Sequence, residues 1–533
     1  MANEEHLKIL KHGVEQWNRW RLENDAIRPD LNGADLSDAD LSNAFLSVAN
    51  LSGATLNGAN LVGADLIGAD LSGAKLSAAN LTVAKLNGAN LSDAELNGAS
   101  LIVAKLSGAK LSGAKLSGAD LRDADLSGAK LSDANLNGAN LNLATLIGAD
   151  LSGAELSAAN LTVAKLNGAK LSGANLSGAK LIGADLSDAD LSDANPIGAN
   201  LIGADLSGAK LNGVTLSGAD LRDATLIGAD LSGAKLSGAN LSGAKLNGAK
   251  LNGVTLSGAD LRNADLIDAD LSDATLIGAN LADVNLKGAN LTRADLTGAD
   301  LSRSDLVETD FSNATLTGCR TYGASAWNVT LKGTVQHNLV ITKEGEPVVT
   351  VDDLKVAQFV YLLLNNPNIR DIIDTIGRRG VLILGRFTRE RKQVLDAIRE
   401  KLREFGFVPM MFDFEKPTQR DFTETIKTLA GMSRFIIADI TNPRSSPLEL
   451  QATMPDYMIP FVPIIHDTEE PFPMFRDLKQ KYEWVLDLLE YDSTATLLKV
   501  FNKAVIVPAL QSEDALLLKK AEDIRVRHVR DYL

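Results

Sequence analysis

From Asp30 to about Thr315 an apolar residue, almost always Leu, falls on every fifth position, and Ala stands two places before it. Ala34-Asp35-Leu36-Ser37-Asp38 and Ala54-Thr55-Leu56-Asn57-Gly58 are examples. Five is not a helical period: at about 100° per residue, successive leucines would step by about 140° and leave no apolar face. Ala and Leu two apart do share one face of an extended segment, and the Asp, Asn, Lys or Thr between them points the other way. The next two residues, typically Ser-Gly, Asn-Gly or Ser-Asp, favour turns. Each pentad therefore reads as a short extended edge followed by a corner.

The number of edges per coil follows from the longer period. Ser-Gly-Ala-Asp-Leu-Arg recurs with its arginine at Arg122, Arg222 and Arg262, spacings that are multiples of 20. Val83, Val103, Leu143 and Val163 share that phase at one corner, and Ile67, Ile147, Ile227 and Ile267 at another. One outward column runs Asp150, Lys170, Asp190, Lys210, Asp230, Lys250, Asp270, which sets each charge one coil from its opposite. Four pentads per coil make a square tube of parallel β edges, and about 14 coils at ~4.8 Å each make a rod of roughly 67 Å. Ala and Gly are poor strand formers alone, so stacking must supply the stability. The A-[D/N]-L-x-x tandem resembles the pentapeptide-repeat family. The resemblance implies a right-handed quadrilateral parallel β-helix and no particular chemistry.

Residues 1–29 follow another pattern. Leu7, Leu10, Val14 and Trp17 have helical spacing between about residues 4 and 27, which predicts a helical cap over the first coil or a partner-binding helix. Pro196 replaces a register Leu and predicts a local defect, because proline cannot donate a ladder hydrogen bond. The repeat is assigned to 30–332, with Phe311 at a Leu position closing the tube, and 333–378 reads as a linker. In that linker a short hairpin with Gly345 in its turn precedes a helix from Leu354 to Leu364 and, after Pro367, a second from about Ile369 to Ile376.

From Arg379 to Leu510 strands and helices alternate. The strands are Val381–Leu384, Val408–Phe412, Phe435–Asp439 and Phe461–Ile465, with Trp484-Val485-Leu486 as a fifth; the alternation predicts a doubly wound parallel sheet. Residues 511–533 read as a separate charged helix. Ligands of such sheets sit beyond the carboxyl ends of the strands. That selects Gly385–Thr388, Asp413–Thr418 and Asp439–Glu449, the last of which reads Asp-Ile-Thr-Asn-Pro-Arg-Ser-Ser-Pro-Leu-Glu.

Strand, polar loop, Ser-Ser and a Glu on the opening turn of a helix resemble the TIR (Toll/interleukin-1 receptor) domain. Nucleoside 2-deoxyribosyltransferases, which share the fold and use a Glu nucleophile, are similar too. The resemblance implies a catalytic Glu449 that cleaves the N-glycosidic bond of NAD, or binding of another nucleotide. Such cleavage builds positive charge on the ribose, which a carboxylate stabilises or captures. Arg386 and Arg444 are candidates to hold a pyrophosphate, Phe387 to stack on a base, and Gly385, Asp439 and Ser446 to complete the nucleotide site. The structural reading stands beside this one. Ser446-Pro447-Leu448-Glu449 is also a capping box, Arg386 and Arg444 are ordinary loop charges, and Asp439 either meets ligand or caps its own loop. His466-Asp467 follows the fourth strand near the same place.

Composition narrows the rest. Net charge is -15, and most of the acidic excess lies on the repeat, which argues against direct nucleic-acid binding. It leaves open mimicry of DNA toward a topoisomerase, known for some pentapeptide-repeat proteins, and a purely non-enzymatic scaffold. Cys319 is the one cysteine, in the Ala register, and suits a reducing compartment. The charged start and short apolar runs predict neither a signal peptide nor a membrane span, so the cytoplasm is the expectation. The five histidines lack metal-ligand spacing, and no P-loop is present. The expected partners are a protein along or at the end of the rod, a nucleotide, and a further copy of the chain. No cofactor is implied beyond NAD or another nucleotide as ligand or substrate.

Overall fold

Every fifth residue from Asp30 onward, with one exception at Asn195, bridges in parallel to the residue 20 positions on, through Asp30↔Asn50, Asp35↔Thr55 and their successors to Arg320↔Val340. The ladder is tight: Leu31 N–H donates to the Asn50 carbonyl at 2.7 Å and Asn50 N–H to the Pro29 carbonyl at 2.8 Å. Between edges the chain turns within four residues. Ala34 N–H donates back to the Leu31 carbonyl at 3.0 Å around Gly33, whose φ is +66°. A positive φ at the third turn residue explains the Gly, Asn and Asp of that position. At Gly113 space also matters, since a Cβ there would stand 2.4 Å from Asp93 Oδ1 one coil earlier. Ala and Leu point inward and are buried almost throughout, Ala39 and Leu331 being only partly so, and form one continuous core.

The structure, a computed structural model, describes residues 2–385, 388–413, 429–441, 458–471 and 473–522. It divides into two units, Met1–Leu362 and Leu363–Leu533.

In the first unit two helices, α1 (Glu4–Lys11) and α2 (Val14–Glu23), stand where the apolar spacing predicts one; Gly13, at φ +124°, breaks them apart. They cover two of the four edges of the first coil. Asn3 N–H donates to the Asp30 carbonyl, and Asp30 N–H to His6 Nδ1, each at 3.0 Å. Trp17 Nε1–H donates to the Phe45 carbonyl at 2.9 Å, and Phe45 N–H to Asn18 Oδ1 at 2.7 Å. Trp17 itself is fully buried against the coil core. The corresponding groups of Asp35 and Asp40 have no such partner among the described residues.

One corner breaks the turn rule repeatedly, and Val48, at φ 56°, breaks it at another. Val83, Val103, Leu143 and Val163 adopt φ of 54 to 61°, a region costly for branched side chains, and all are exposed. Farther along the same column Gly183, Gly203 and Gly243 take their place, so the backbone does not demand them.

Pro196 produces the expected defect. The bridge from Asn195 to Thr215 is missing, Asn195 Oδ1 has no hydrogen-bond partner among the described residues, and an enclosed apolar void opens beside Leu191, Leu201, Leu211 and Leu216. The coils on both sides keep the 20-residue register. Replacing Pro196→Leu restores one ladder bond and fills the void, and is expected to stabilise the coils by about 1–2 kcal/mol. Chemical denaturation checks this, and an unchanged or lower midpoint would refute it.

Toward the far end Phe311 is fully buried, and Cys319 donates its Sγ–H to the Leu296 carbonyl at 3.1 Å. Burial pushes its thiol up to about 12, which leaves it a core residue without thiolate reactivity. Strands β1 (Leu339–Val340) and β2 (Thr350–Val351) pair antiparallel, with Gly345 at φ +87° between them. Helix α3 (Leu354–Asn365) begins where Asp353 Oδ1 accepts from the N–H of Lys355 and Val356, and Tyr361 packs edge-on to Tyr322.

The second unit opens with α4 (Pro367–Arg379), capped by Asn366. Then follow β3 (Gly380–Gly385), α5 (Arg389–Glu404), β4 (Val408–Asp413), β5 (Phe435–Asp439), β6 (Phe461–His466), α6 (Pro473–Lys481), β7 (Leu489–Tyr491) and α7 (Thr494–Phe501). A π-helical turn, Asn502–Ile506, leads into α8 (Val507–Glu522). The five strands are parallel in the order β4-β3-β5-β6-β7. Alternate residues supply two cores. Val381 and Ile383 pack with α5, α7 and α8, while Leu382 and Leu384 pack with α6.

Two elements differ from expectation. The fifth strand is Leu489–Tyr491, and Trp484-Val485-Leu486 contributes one bridge, Val485 to Phe461, because Trp484 and Val485 pack into the α6-side core and Leu486 into the other without lining up on β6. The last helix starts at Val507, within the residues assigned to the α/β region, since Val505, Ile506 and Ala509 pack in that core.

Candidate functional site

The chain leaves β3 first for β4 on one side and then for β5 on the other, so the carboxyl ends of β3 and β5 flank a reversal in strand order. Crevices of parallel sheets open at such a reversal. Gly385 ends β3 and Asp439 ends β5. A Cβ on Gly385 would meet Leu395 Cδ1 at 2.8 Å, which would push that side-chain end aside, and Asp439 Cβ at an ordinary 3.5 Å, so glycine keeps α5 and β5 close here at no cost.

Asp439 is 6% exposed. Its Oδ1 accepts from Thr441 N–H at 3.0 Å and from the Thr441 hydroxyl, an Asx turn that closes the loop. Its Oδ2 is buried and has no hydrogen-bond partner among the described residues. Burial raises the Asp439 pKa above the ordinary carboxylate value, against the pull of the Thr441 bonds and of the Arg391 charge. The Thr441 hydroxyl also accepts from His466 N–H at 3.1 Å, tying the end of β5 to that of β6.

Tyr491 completes the group from the end of β7. It is buried, accepts a hydrogen bond from Arg391 Nη1 at 2.7 Å, and lies edge-on to the His466 ring at 5.4 Å. Burial, with the Asp439 charge adding to it, pushes its phenol up to about 12, so it serves as a neutral hydroxyl. Beside it is a cavity of about 340 Å3 lined by Asp467, Asp492, Thr496 and Leu497 among others.

Of the residues singled out in the sequence, Gly385 and Asp439 thus come together on adjacent strands. Asp439 does cap its own loop, and its second oxygen is left over. Arg386, Phe387, Arg444, Ser446 and Glu449 lie outside the described residues. Arg391, Thr441 and Tyr491 were not legible as site residues. Thr441 stands two places after Asp439, the spacing of an Asx turn, and Arg391 lies in the first turn after the first strand, so both carried a signal. Tyr491 was hidden because the fifth strand is displaced from the apolar run. No helix among the described residues is long and apolar enough to cross a membrane.

The pentapeptide repeats (8 copies) family matches overlapping stretches from residue 30 to residue 318, more than half of the 533 residues. The chain belongs to the pentapeptide-repeat family, and its coils form a right-handed β-helical solenoid. Among solved structures it is similar to HetL, involved in heterocyst differentiation regulation in the cyanobacterium Nostoc sp. Strain PCC 7120. That match has 30% identity over 48% of this chain and 90% of HetL, with a TM-score of 0.16. AT2G44920 from the Arabidopsis thaliana thylakoid lumen is 34% identical over 18% of this chain and 66% of its own, with a TM-score of 0.18. Full-length QnrB1, a plasmid-mediated fluoroquinolone resistance protein, is 23% identical over 32% of this chain and 84% of its own, with a TM-score of 0.15. Among curated proteins the comparison finds no match.

Proposed function

We propose that this chain is a pentapeptide-repeat scaffold carrying a TIR-like α/β unit that binds a nucleotide and hydrolyses NAD. The buried Oδ2 of Asp439 at the reversal of strand order, with no hydrogen-bond partner among the described residues, supports the reading, because a buried acceptor without a donor awaits one from a ligand. In the proposed reaction the bond between ribose C1′ and the nicotinamide nitrogen breaks and its electron pair leaves with nicotinamide. Water supplies the oxygen that bonds C1′ and releases one proton. Glu449 faces the positive charge that builds on the ribose. Arg386 and Arg444 hold the pyrophosphate, Phe387 stacks on a ring, and Gly385 and Ser446 line the approach. The repeat supplies a surface for a protein partner.

The non-enzymatic scaffold is the second reading. The strained, exposed valines at one corner favour it, since neither the core nor the backbone requires them. Mimicry of DNA ranks behind both, because lysines alternate with aspartates in bridged pairs such as Asp190↔Lys210 and Asp230↔Lys250 and break up the negative field.

Purified full-length protein incubated with NAD should release nicotinamide, read by chromatography. Glu449→Ala should lower turnover by about 100-fold or more with an unchanged melting temperature. If the variant melts early, Glu449 is a helix cap. If wild-type protein neither turns over NAD nor shifts its melting temperature with nucleotide, the nucleotide reading falls.

A further inference from the structure

Arg391 sits in the first turn of α5, whose first residues follow β3 and whose N-cap is Thr388. Three other arginines of this unit are neutralised by carboxylates. Arg399 pairs with Asp396 at 3.2 Å, Arg403 with Glu400 at 2.7 Å, and Arg434 with Glu513. Arg391 has no carboxylate within ion-pair distance among the described residues; it is held by the neutral Tyr491 hydroxyl. A phenol fixes the guanidinium in place without cancelling its charge and leaves most of its five donors unused.

Asp439 shows the complementary deficit. It lies near enough to feel the Arg391 charge, yet its Oδ2 takes no hydrogen bond from it. A structural ion pair would have joined the two. Instead one positioned cation and one buried acceptor stand at the same end of the sheet, each incompletely satisfied among the described residues. A ligand that satisfies both carries an anionic group for the guanidinium and a hydroxyl or N–H for the carboxyl.

We infer that Arg391, positioned by Tyr491, binds a phosphate of the nucleotide whose ribose hydroxyl or base N–H donates to Asp439 Oδ2. This rests on the nucleotide-binding reading above and adds the residues that select for phosphate. Arg391 contacts the ligand, and Tyr491 is a positioning residue that acts through it.

Calorimetric titration of the full chain with NAD and with nicotinamide riboside, which lacks the pyrophosphate, tests the assignment. Wild type is expected to bind NAD more tightly than the riboside. Arg391→Gln should weaken NAD binding by about 10- to 100-fold and leave riboside binding within about 2-fold. Tyr491→Phe should show the same selective loss at a smaller size, and Arg391→Lys should recover part of it because it restores charge without the fork. Two results would overturn the inference while the nucleotide site stands. One is that Arg391→Gln binds NAD as wild type does. The other is that both ligands weaken equally and the melting temperature drops, which makes the pair a staple between α5 and β7. Failure of wild type to bind either ligand removes the nucleotide site itself.

Discussion

Trp17→Ala is expected to destabilise the repeat unit by about 3–5 kcal/mol, the range for deleting a fully buried large aromatic. The reason is positional as much as hydrophobic. Trp17 is fully buried over the first coil and its indole N–H closes one orphan carbonyl, that of Phe45. Its loss uncovers core leucines and frees a ladder acceptor at the same end. In a stack where each coil contacts only its neighbours, damage should begin there and spread. Guanidinium denaturation reads the global cost, and amide hydrogen exchange reads its origin. Protection should fall first at Leu31 to Asn50. A loss below about 1 kcal/mol, or exchange unchanged in that coil, would show that the tryptophan does not seal the tube.

Asp439→Asn should act in the opposite direction, raising the stability of the α/β unit near neutral pH, because the amide has no charge to bury. The folded state raises the Asp439 pKa through burial. A raised carboxyl favours folding below the ordinary aspartate value and loses that contribution as pH climbs through the raised one. The advantage of the amide therefore grows from acid toward neutral pH and levels off above the folded value. The amide oxygen can still accept the Thr441 bonds that close the loop. Thermal unfolding of both proteins between about pH 4 and pH 8 measures the difference. An advantage independent of pH, or a less stable variant at neutral pH, would mean that the carboxyl is not held under strain. If the variant gains stability and loses affinity for NAD together, the buried acid is kept for ligand at the expense of the fold.

The solenoid was legible to the residue because its rule is short-range and repeats. Leu position, Ala position and a 20-residue phase reappear as buried side chains and parallel bridges. The charged column from Asp150 to Asp270 also stacks as read, yet ion pairs form at only two of its steps among the described residues, Lys210–Asp190 and Lys250–Asp230, both at 3.9 Å. Spacing along a chain predicts which Cα atoms are neighbours; it does not predict where a long, solvated lysine points. The aspartates do something more local. Asp150 Oδ1 accepts from the Ser152 hydroxyl at 2.7 Å and from its N–H at 3.2 Å, and the hydroxyl bond contributes most to holding that carboxyl below its ordinary value. The serine two places after many of these Asp and Asn residues was visible in the sequence as an Asx-turn pattern.

In the α/β unit the strands with continuous apolar runs were legible and the short one was not. Leu489–Tyr491 has three residues and no such run, so β7 and the tyrosine at its end were missed. The Arg391–Tyr491 bond joins residues 100 positions apart. No periodicity announces a contact of that kind; only the folded sheet brings it together.

Because each pentad is one side of a square, the length of the solenoid is quantised. Removing a whole coil of 20 residues shortens it by ~4.8 Å and leaves every surface column beyond the cut facing as before. Removing a single pentad keeps the core pattern of Ala and Leu intact, yet turns every column beyond the cut by about a quarter revolution relative to those before it. The repeat is thus a ruler graduated in whole turns: its sequence tolerates a change of span far better than a change of facing.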